Sequence, residues 1–215
     1  NEGICFPITC KKALNKVQGR FPYHYDLNVY RGCKHGCQYC FAIYSHQYIE
    51  NGCADFFRDV YVKTNIVEEL EKQLSSRYWK HEVINLGGVT DSYQPAEAQY
   101  QIMPEIWKLL IRYKNPAIIS TKSDLILRDF DFIAELSTLT DVNIAMTITA
   151  VDEKIRGVLE PYSSPAAHRF AALKEFREKT NACVGVHIMP IIPCLTDSHA
   201  NLAAIFPQAK SFYLD

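Results

Sequence analysis

Tyr30-Arg-Gly-Cys-Lys-His-Gly-Cys-Gln-Tyr-Cys-Phe-Ala42 sets three cysteines, Cys33, Cys37 and Cys40, in a C-x3-C-x2-C run. On one short loop, thiolates at this spacing can meet a single face of a cubic iron–sulfur cluster. A 4Fe–4S cluster normally takes four thiolates, and no fourth cysteine follows in the local run. One iron would then lack a protein ligand and stay open to a substrate or cofactor, as in a catalytic rather than a purely structural metal site. Gly32 and Gly36 allow the backbone to curl tightly around such a core. Zinc is the competing reading, with His35 or another nearby histidine as fourth ligand.

Composition bounds the rest. A chain of 215 residues with 48% hydrophobic and 22% charged residues suits one soluble domain with a substantial core. The longest nearly apolar run, from Val184 to Leu195, is broken by His187, Pro190 and Pro193 and is too short to span a bilayer. No basic-then-apolar signal peptide opens the chain. Eight cysteines, three of them clustered, suit a reducing compartment and a metal better than a disulfide framework, so a cytoplasmic location is expected. Residues 1–40 carry Lys11, Lys12, Lys16, Arg20, Arg31 and Lys34 against Glu2 and Asp26, a balance of +4, which leaves −5 for the remainder of a chain of net charge −1. That basic edge can attract phosphates, although such a balance is more often a solvated surface.

Short β-rich runs alternate with helical patterns. Strands are expected over 26–31, 82–87, 116–121, 141–149, 183–190 and 211–214, and helices over 65–79, 102–113 and 165–179. Thr64 reads as a cap for the first helix and Pro165 as the first residue of the last. Strands separated by helices argue for right-handed βαβ units in a parallel sheet, and about six units are fewer than a closed barrel needs. Function in such folds gathers at the carboxyl ends of the strands. The cysteine loop, Gly87-Gly88-Val89-Thr90-Asp91, Thr121-Lys122-Ser123, Thr147-Ile148-Thr149 and Pro190-Ile191-Ile192-Pro193 each fall there.

These runs, in this order, resemble the radical S-adenosylmethionine (SAM) superfamily, and within it the branch that includes the spore photoproduct lyases. The matching stretches are Asn28 to Cys40, Thr90 to Glu97, Ser120 to Asp129, Leu159-Glu160-Pro161 with Arg169, and Pro190 to Pro193 with Thr196 and Asp197. The resemblance implies an α/β fold, a partial (β/α)6 TIM-like barrel with parallel strands occupying 26–215, behind an N-terminal extension over 1–25. It implies a 4Fe–4S cluster on Cys33, Cys37 and Cys40, and SAM chelating the open iron. Reductive cleavage of SAM would give a 5′-deoxyadenosyl radical that takes hydrogen from a substrate, nucleic-acid-derived or otherwise phosphorylated. An external one-electron reductant of flavodoxin or ferredoxin type would supply the electron. Tyr39 would lie against the adenine, Gly87, Gly88, Thr90 and Asp91 would receive the SAM amino group, Lys122 and Thr147 would meet its carboxylate and ribose, and Ile191 would touch the adenine. The alternative to an enzyme is an iron–sulfur or zinc-binding module without catalysis.

Three departures from the lyase pattern stand out. Gly88 holds the position of the hydrogen-donating cysteine, and Phe41 that of the tyrosine after the last cluster ligand. The chain also stops at Asp215, at the end of the sixth expected strand, which reads as a truncated barrel. Spore photoproduct repair is therefore not expected. Cys5, Cys10, Cys53, Cys183 and Cys194 suggest no second cluster; Cys194, at the mouth of the fifth strand, is within reach of the rim. Glu160 and Arg169 read as an ion pair there.

Overall fold

Alternating side chains along five parallel strands divide the interior into a dry face and an open one. The structure is a computed structural model and describes residues 4–48 and 55–208. Its strands are β1 (Cys5–Ile8), β2 (Leu14–Lys16), β3 (Tyr25–Leu27), β4 (Tyr30–Arg31), β5 (Val60–Lys63), β6 (Ile84–Leu86), β7 (Ala117–Thr121), β8 (Val142–Thr147) and β9 (Cys183–His187). Its α-helices are α1 (Ile66–Leu74), α2 (Glu97–Tyr100), α3 (Met103–Arg112), α4 (Phe130–Leu139), α5 (Glu153–Leu159), α6 (Ala166–Lys179) and α7 (His199–Ile205). No helix among the described residues is long and apolar enough to cross a membrane.

The main sheet has the order β2-β3-β6-β7-β8-β9, with β2 antiparallel on the edge and the other pairs parallel. Helices α1, α3, α4 and α6 lie in the crossovers, as parallel pairing requires. Leu27, Leu86, Ile119, Ile144 and Val184 stand side by side across one register row, all buried in the main core. Met103, Ile106, Trp107, Leu110, Leu173 and Phe176 cover them from α3 and α6. One residue back, strand alternation turns Asp26, Asn85, Ile118, Asn143 and Cys183 to the opposite, inner face. The described strands form an open arc, a partial barrel.

A second sheet, β1-β5-β4, sits beside the first. It changes the reading of 26–31, expected as one strand. The segment divides into β3 and β4, one in each sheet, because Asn28 leaves the ladder: its side-chain Oδ1 accepts from Val89 N (2.9 Å) and its carbonyl from Lys63 Nζ (2.7 Å). Residues 1–25 contribute β1 to the small sheet and β2 to the large one. The cap position of α1 is Asn65 rather than Thr64, and its side chain grips the backbone of Cys10 instead of its own helix. The strand expected over 211–214 and Cys53 lie outside the described residues.

Candidate metal and cofactor centre

The cysteine loop hangs between β4 and a 3-10 helix over Phe41–Tyr48, and its shape follows from its glycines. Gly32 and Gly36 adopt φ of +89° and +70°, which side chains disfavour. A Cβ on Gly32 would also stand 2.7 Å from the carbonyl of Asp59. Three neighbours hold the loop. Phe56 O accepts from Cys33 N (3.0 Å). Gln94 and Thr90 both donate to the Gly32 carbonyl (3.0 and 2.7 Å), and Gln94 Oε1 accepts from Lys34 N (2.9 Å). From α5 onward, Leu159 O accepts from Gln38 N and the carbonyl of His35 accepts from Tyr162 N.

Cys33 and Cys37 are buried and Cys40 half-buried. Burial pushes all three thiols up, Cys37 to about 12, against an opposing pull from Lys122 at Cys37 and Cys40. Cys33 feels Cys37, and Cys37 feels Cys40, so the three thiols are neighbours. A metal group of positive charge is what would make such buried thiols thiolates. No three His, Cys, Asp or Glu side chains among the described residues converge on a single ion. A cluster that takes one thiolate per iron makes no such demand, and the donor set fits it.

His35, the alternative zinc ligand, is otherwise engaged. Its Nδ1–H donates to Tyr162 O (3.2 Å), and its Nε2 stands 3.1 Å from Asp91 Oδ2, a charge contact off the line of a hydrogen bond. Asp91 ties the rim together. Its Oδ1 accepts from Tyr93 N (2.8 Å) and Thr121 Oγ1 (2.7 Å), and its Oδ2 from Lys122 N (2.8 Å). Burial opposes its charge, but the His35 ring and these donors prevail and hold the carboxyl down at about 2. Asp91 thus joins the cysteine loop to the end of β7.

Opposite it, Glu160 and Arg169 form the ion pair expected from sequence, at 2.6 Å with both side chains 1% exposed. Arg169 also donates to the carbonyls of Thr147 (2.6 Å) and Ser164 (2.7 Å). Glu160 accepts the Tyr39 hydroxyl, which also meets Thr149 Oγ1 (3.0 Å). Lys122 Nζ lies 5.6 Å from the centre of the Tyr39 ring and makes no ion pair among the described residues. Gly87 turns with φ +95° at the end of β6. At Gly88 a Cβ would lie 2.1 Å from Asp26 Oδ2, so the carboxylate already fills that space. Ile191 follows β9 and is 49% exposed.

The structure therefore gathers Cys33, Cys37, Cys40, Tyr39, Lys122 and Asp91 through shared contacts and sets Gly87, Gly88, Thr90 and Thr147 in the segments beside them. Three fixtures escaped the sequence reading. Gln94 clamps the cysteine loop. Asn201 of α7 donates to the carbonyls of Thr149 (3.0 Å) and Thr196 (2.8 Å) and accepts from Val151 N (2.9 Å), pinning the loop that carries Ile191. His187 meets Ser120 Oγ (3.2 Å) on the inner face, where burial and then the Lys122 charge lower its pKa.

The model of the radical SAM superfamily matches residues 27–204, and the chain belongs to that superfamily. It is 36% identical over 211 residues to the uncharacterized protein Rv2578c of Mycobacterium tuberculosis, spanning 96% of this chain and 62% of the relative. It is 28% identical to the uncharacterized protein MJ0683 of Methanocaldococcus jannaschii, over 97% of this chain and 75% of the relative. Among solved structures it resembles a spore photoproduct lyase mutant with TM-score 0.69 at 14% identity, over 98% of this chain and 59% of that one. It also resembles spore photoproduct lyase complexed with dinucleoside spore photoproduct, TM-score 0.67 at 14% identity, over 94% and 54%. At that identity the likeness is one of fold.

Proposed function

We propose that this chain is a radical SAM enzyme that binds a 4Fe–4S cluster through Cys33, Cys37 and Cys40 and SAM across the adjoining rim. The observation that carries the reading is the set of three neighbouring, largely buried thiols on a glycine-bent loop, with Lys122, which makes no ion pair among the described residues, over the Tyr39 ring at the carboxyl end of a parallel sheet. When bound, the cluster and SAM supply hydrogen-abstraction chemistry, with SAM cleaved to methionine and 5′-deoxyadenosine.

The chain's own residues bind and orient. Lys122 offers a compact ammonium to the SAM carboxylate. Tyr39, held by Glu160 and Thr149, presents a fixed ring face for the adenine, and Ile191 an apolar contact. Gly87, Gly88 and Thr90 leave backbone open for the amino group. Asp91, its oxygens committed, serves as a positioning residue that fixes Lys122 and the cysteine loop together. Thr147 lines the ribose side, its carbonyl held by Arg169. His35 is held by its Nδ1 on Tyr162 O, with Nε2 beside the Asp91 carboxylate, which weighs against a zinc module.

The substrate proposed is nucleic-acid-derived or otherwise phosphorylated, and the electron comes from a flavodoxin- or ferredoxin-type partner. Seven free cysteines among the described residues suit a reducing, cytoplasmic setting. The test is anaerobic reconstitution with iron and sulfide, reduction with dithionite, and chromatography for 5′-deoxyadenosine after SAM is added. Formation of 5′-deoxyadenosine by the native chain and its loss in Lys122→Met, with iron retained, are expected. A full cluster that never cleaves SAM would overturn the reading.

A further inference from the structure

The small sheet carries a basic cleft that the cluster site does not use. Its volume is about 430 Å³, and Thr9, Lys11, Lys12, Asn15, Arg31 and Lys63 are among its lining residues. No carboxylate among the described residues lines it. In a chain with 24 acidic residues against 23 Lys and Arg, Lys11, Lys12 and Lys63 gather around one cleft beside Arg31.

The cleft is built, not a brush of loose lysines. The loop bearing Lys11 and Lys12 is fastened to α1 at both ends. Asn65 donates to Cys10 O (2.9 Å) and accepts from Cys10 N (2.8 Å), and Gln73 Oε1 accepts from both Ala13 N and Leu14 N (2.9 Å each). At its floor lies Lys63, only 7% exposed. Its Nζ donates to Asn28 O (2.7 Å) and makes no ion pair among the described residues. An ammonium has three donors, so two remain to be satisfied in a place where water is scarce. Burial, and next to it the charge of Arg31, pull Lys63 down to about 8. A buried ammonium without a counter-ion is unfavourable, and an anion entering the cleft would supply one. Glu68 and Glu69 on α1 are felt at Cys10, and Glu69 is already paired with Lys72 (2.7 Å).

We propose that this cleft is a phosphate-binding site, seating one or two phosphate groups of a nucleic-acid strand or a free nucleotide outside the reacting centre. Its place suits that role. Arg31 stands two residues before Cys33, and Asn28, whose carbonyl receives Lys63, holds Val89 of the Gly87–Gly88 turn with its side chain. A phosphate seated there would sit against the same backbone segment that leads into the cysteine loop. The site does not depend on radical chemistry, so its test stands apart from SAM cleavage.

The experiment is fluorescence anisotropy of a fluorescein-labelled single-stranded oligodeoxynucleotide with the cluster-loaded full chain, over a series of salt concentrations. ADP and inorganic phosphate serve as unlabelled competitors. The double variant Lys11→Gln/Lys12→Gln, both residues exposed, should lose at least about tenfold in affinity and flatten the log–log salt slope by about 1 to 1.5. Lys63→Met should weaken binding as well, with thermal melting confirming that it folds. Lys174→Gln, exposed on α6, should bind as the native chain does. A strand that ADP displaces only weakly identifies a nucleic-acid site, whereas displacement by ADP at micromolar concentration identifies a nucleotide site. The proposal is overturned if the double variant and Lys63→Met bind like Lys174→Gln, or if neither strand, ADP nor phosphate binds the native chain.

Discussion

Gly88 shows how one residue's size records what its neighbours need. The Asp26 carboxylate occupies the space a Cβ would take, held by Asn85 Nδ2 at 2.9 Å. Gly88→Ala should therefore displace Asp26 and cost roughly 1–3 kcal/mol by chemical denaturation, through the lost hydrogen bond and a crowded contact. In Asp26→Ala/Gly88→Ala the two costs should be clearly non-additive; additive costs would show that the pair does not touch. The same packing bears on spore photoproduct, since a cysteine cannot enter at Gly88 without moving Asp26. Phe41, 73% exposed, has no hydroxyl to return a hydrogen atom. Mass spectrometry of the reconstituted enzyme with dinucleoside spore photoproduct should show little conversion to unmodified thymines, and efficient conversion would refute this. Lys63 gives a second residue-scale prediction. Its folded pKa of about 8 lies below its ordinary value of 10.5, so between those values the unfolded chain holds more protons. Stability contributed by this group therefore rises with pH from about 8 to about 10.5, by roughly 3 kcal/mol at most. Relative to Lys63→Met, the native chain should gain stability between pH 7 and pH 10, and parallel melting curves across that range would contradict the assignment.

Elements divide into those that announce themselves and those that borrow their order. Strands β7 and β8 and helices α1 and α3 were legible because their apolar periods are strong and each buries a full stripe. The edges β1 and β2 were not. They are four and three residues long, and β1 contains Pro7, so their order rests on the strands they pair with. The cluster loop was legible as a motif, but its clamps were not. Gln94, Asn65, Gln73 and Asn201 each act by two or more side-chain hydrogen bonds, mostly to distant backbone, which leave no period to detect. The Glu160–Arg169 pair was visible only through its place in a known pattern. Breaking it with Arg169→Met leaves a buried carboxylate beside Tyr39 and should destabilise the fold by about 3–5 kcal/mol in urea melts. A loss below 1 kcal/mol would mean that the pair is not buried in solution. Gly32→Ala should leave the helical circular dichroism intact yet abolish iron binding, because the loop cannot keep φ at +89° with a Cβ against Asp59 O.

At the scale of the molecule, the open sheet presents its reactive residues along one rim, and its inner face carries the polar side chains of Asp26, Asn85, Ser120, Asn143 and His187. The parallel sheet was expected from the alternation of strands and helices and the partial barrel from the family resemblance, and the open arc of parallel strands bears both out. The small sheet beside the cluster loop was not foreseen, and it is this sheet that gives the basic amino-terminal segment a fixed shape. The account rests on three thiolates leaving one iron open for SAM. Electron paramagnetic resonance of the reduced, reconstituted chain tests that claim most directly. A 4Fe–4S signal is expected, lost when any one of Cys33, Cys37 or Cys40 becomes Ala, kept in Cys5→Ala, Cys10→Ala, Cys183→Ala and Cys194→Ala, and shifted when SAM is added. A signal indifferent to SAM, or a colourless chain holding one zinc, would contradict it.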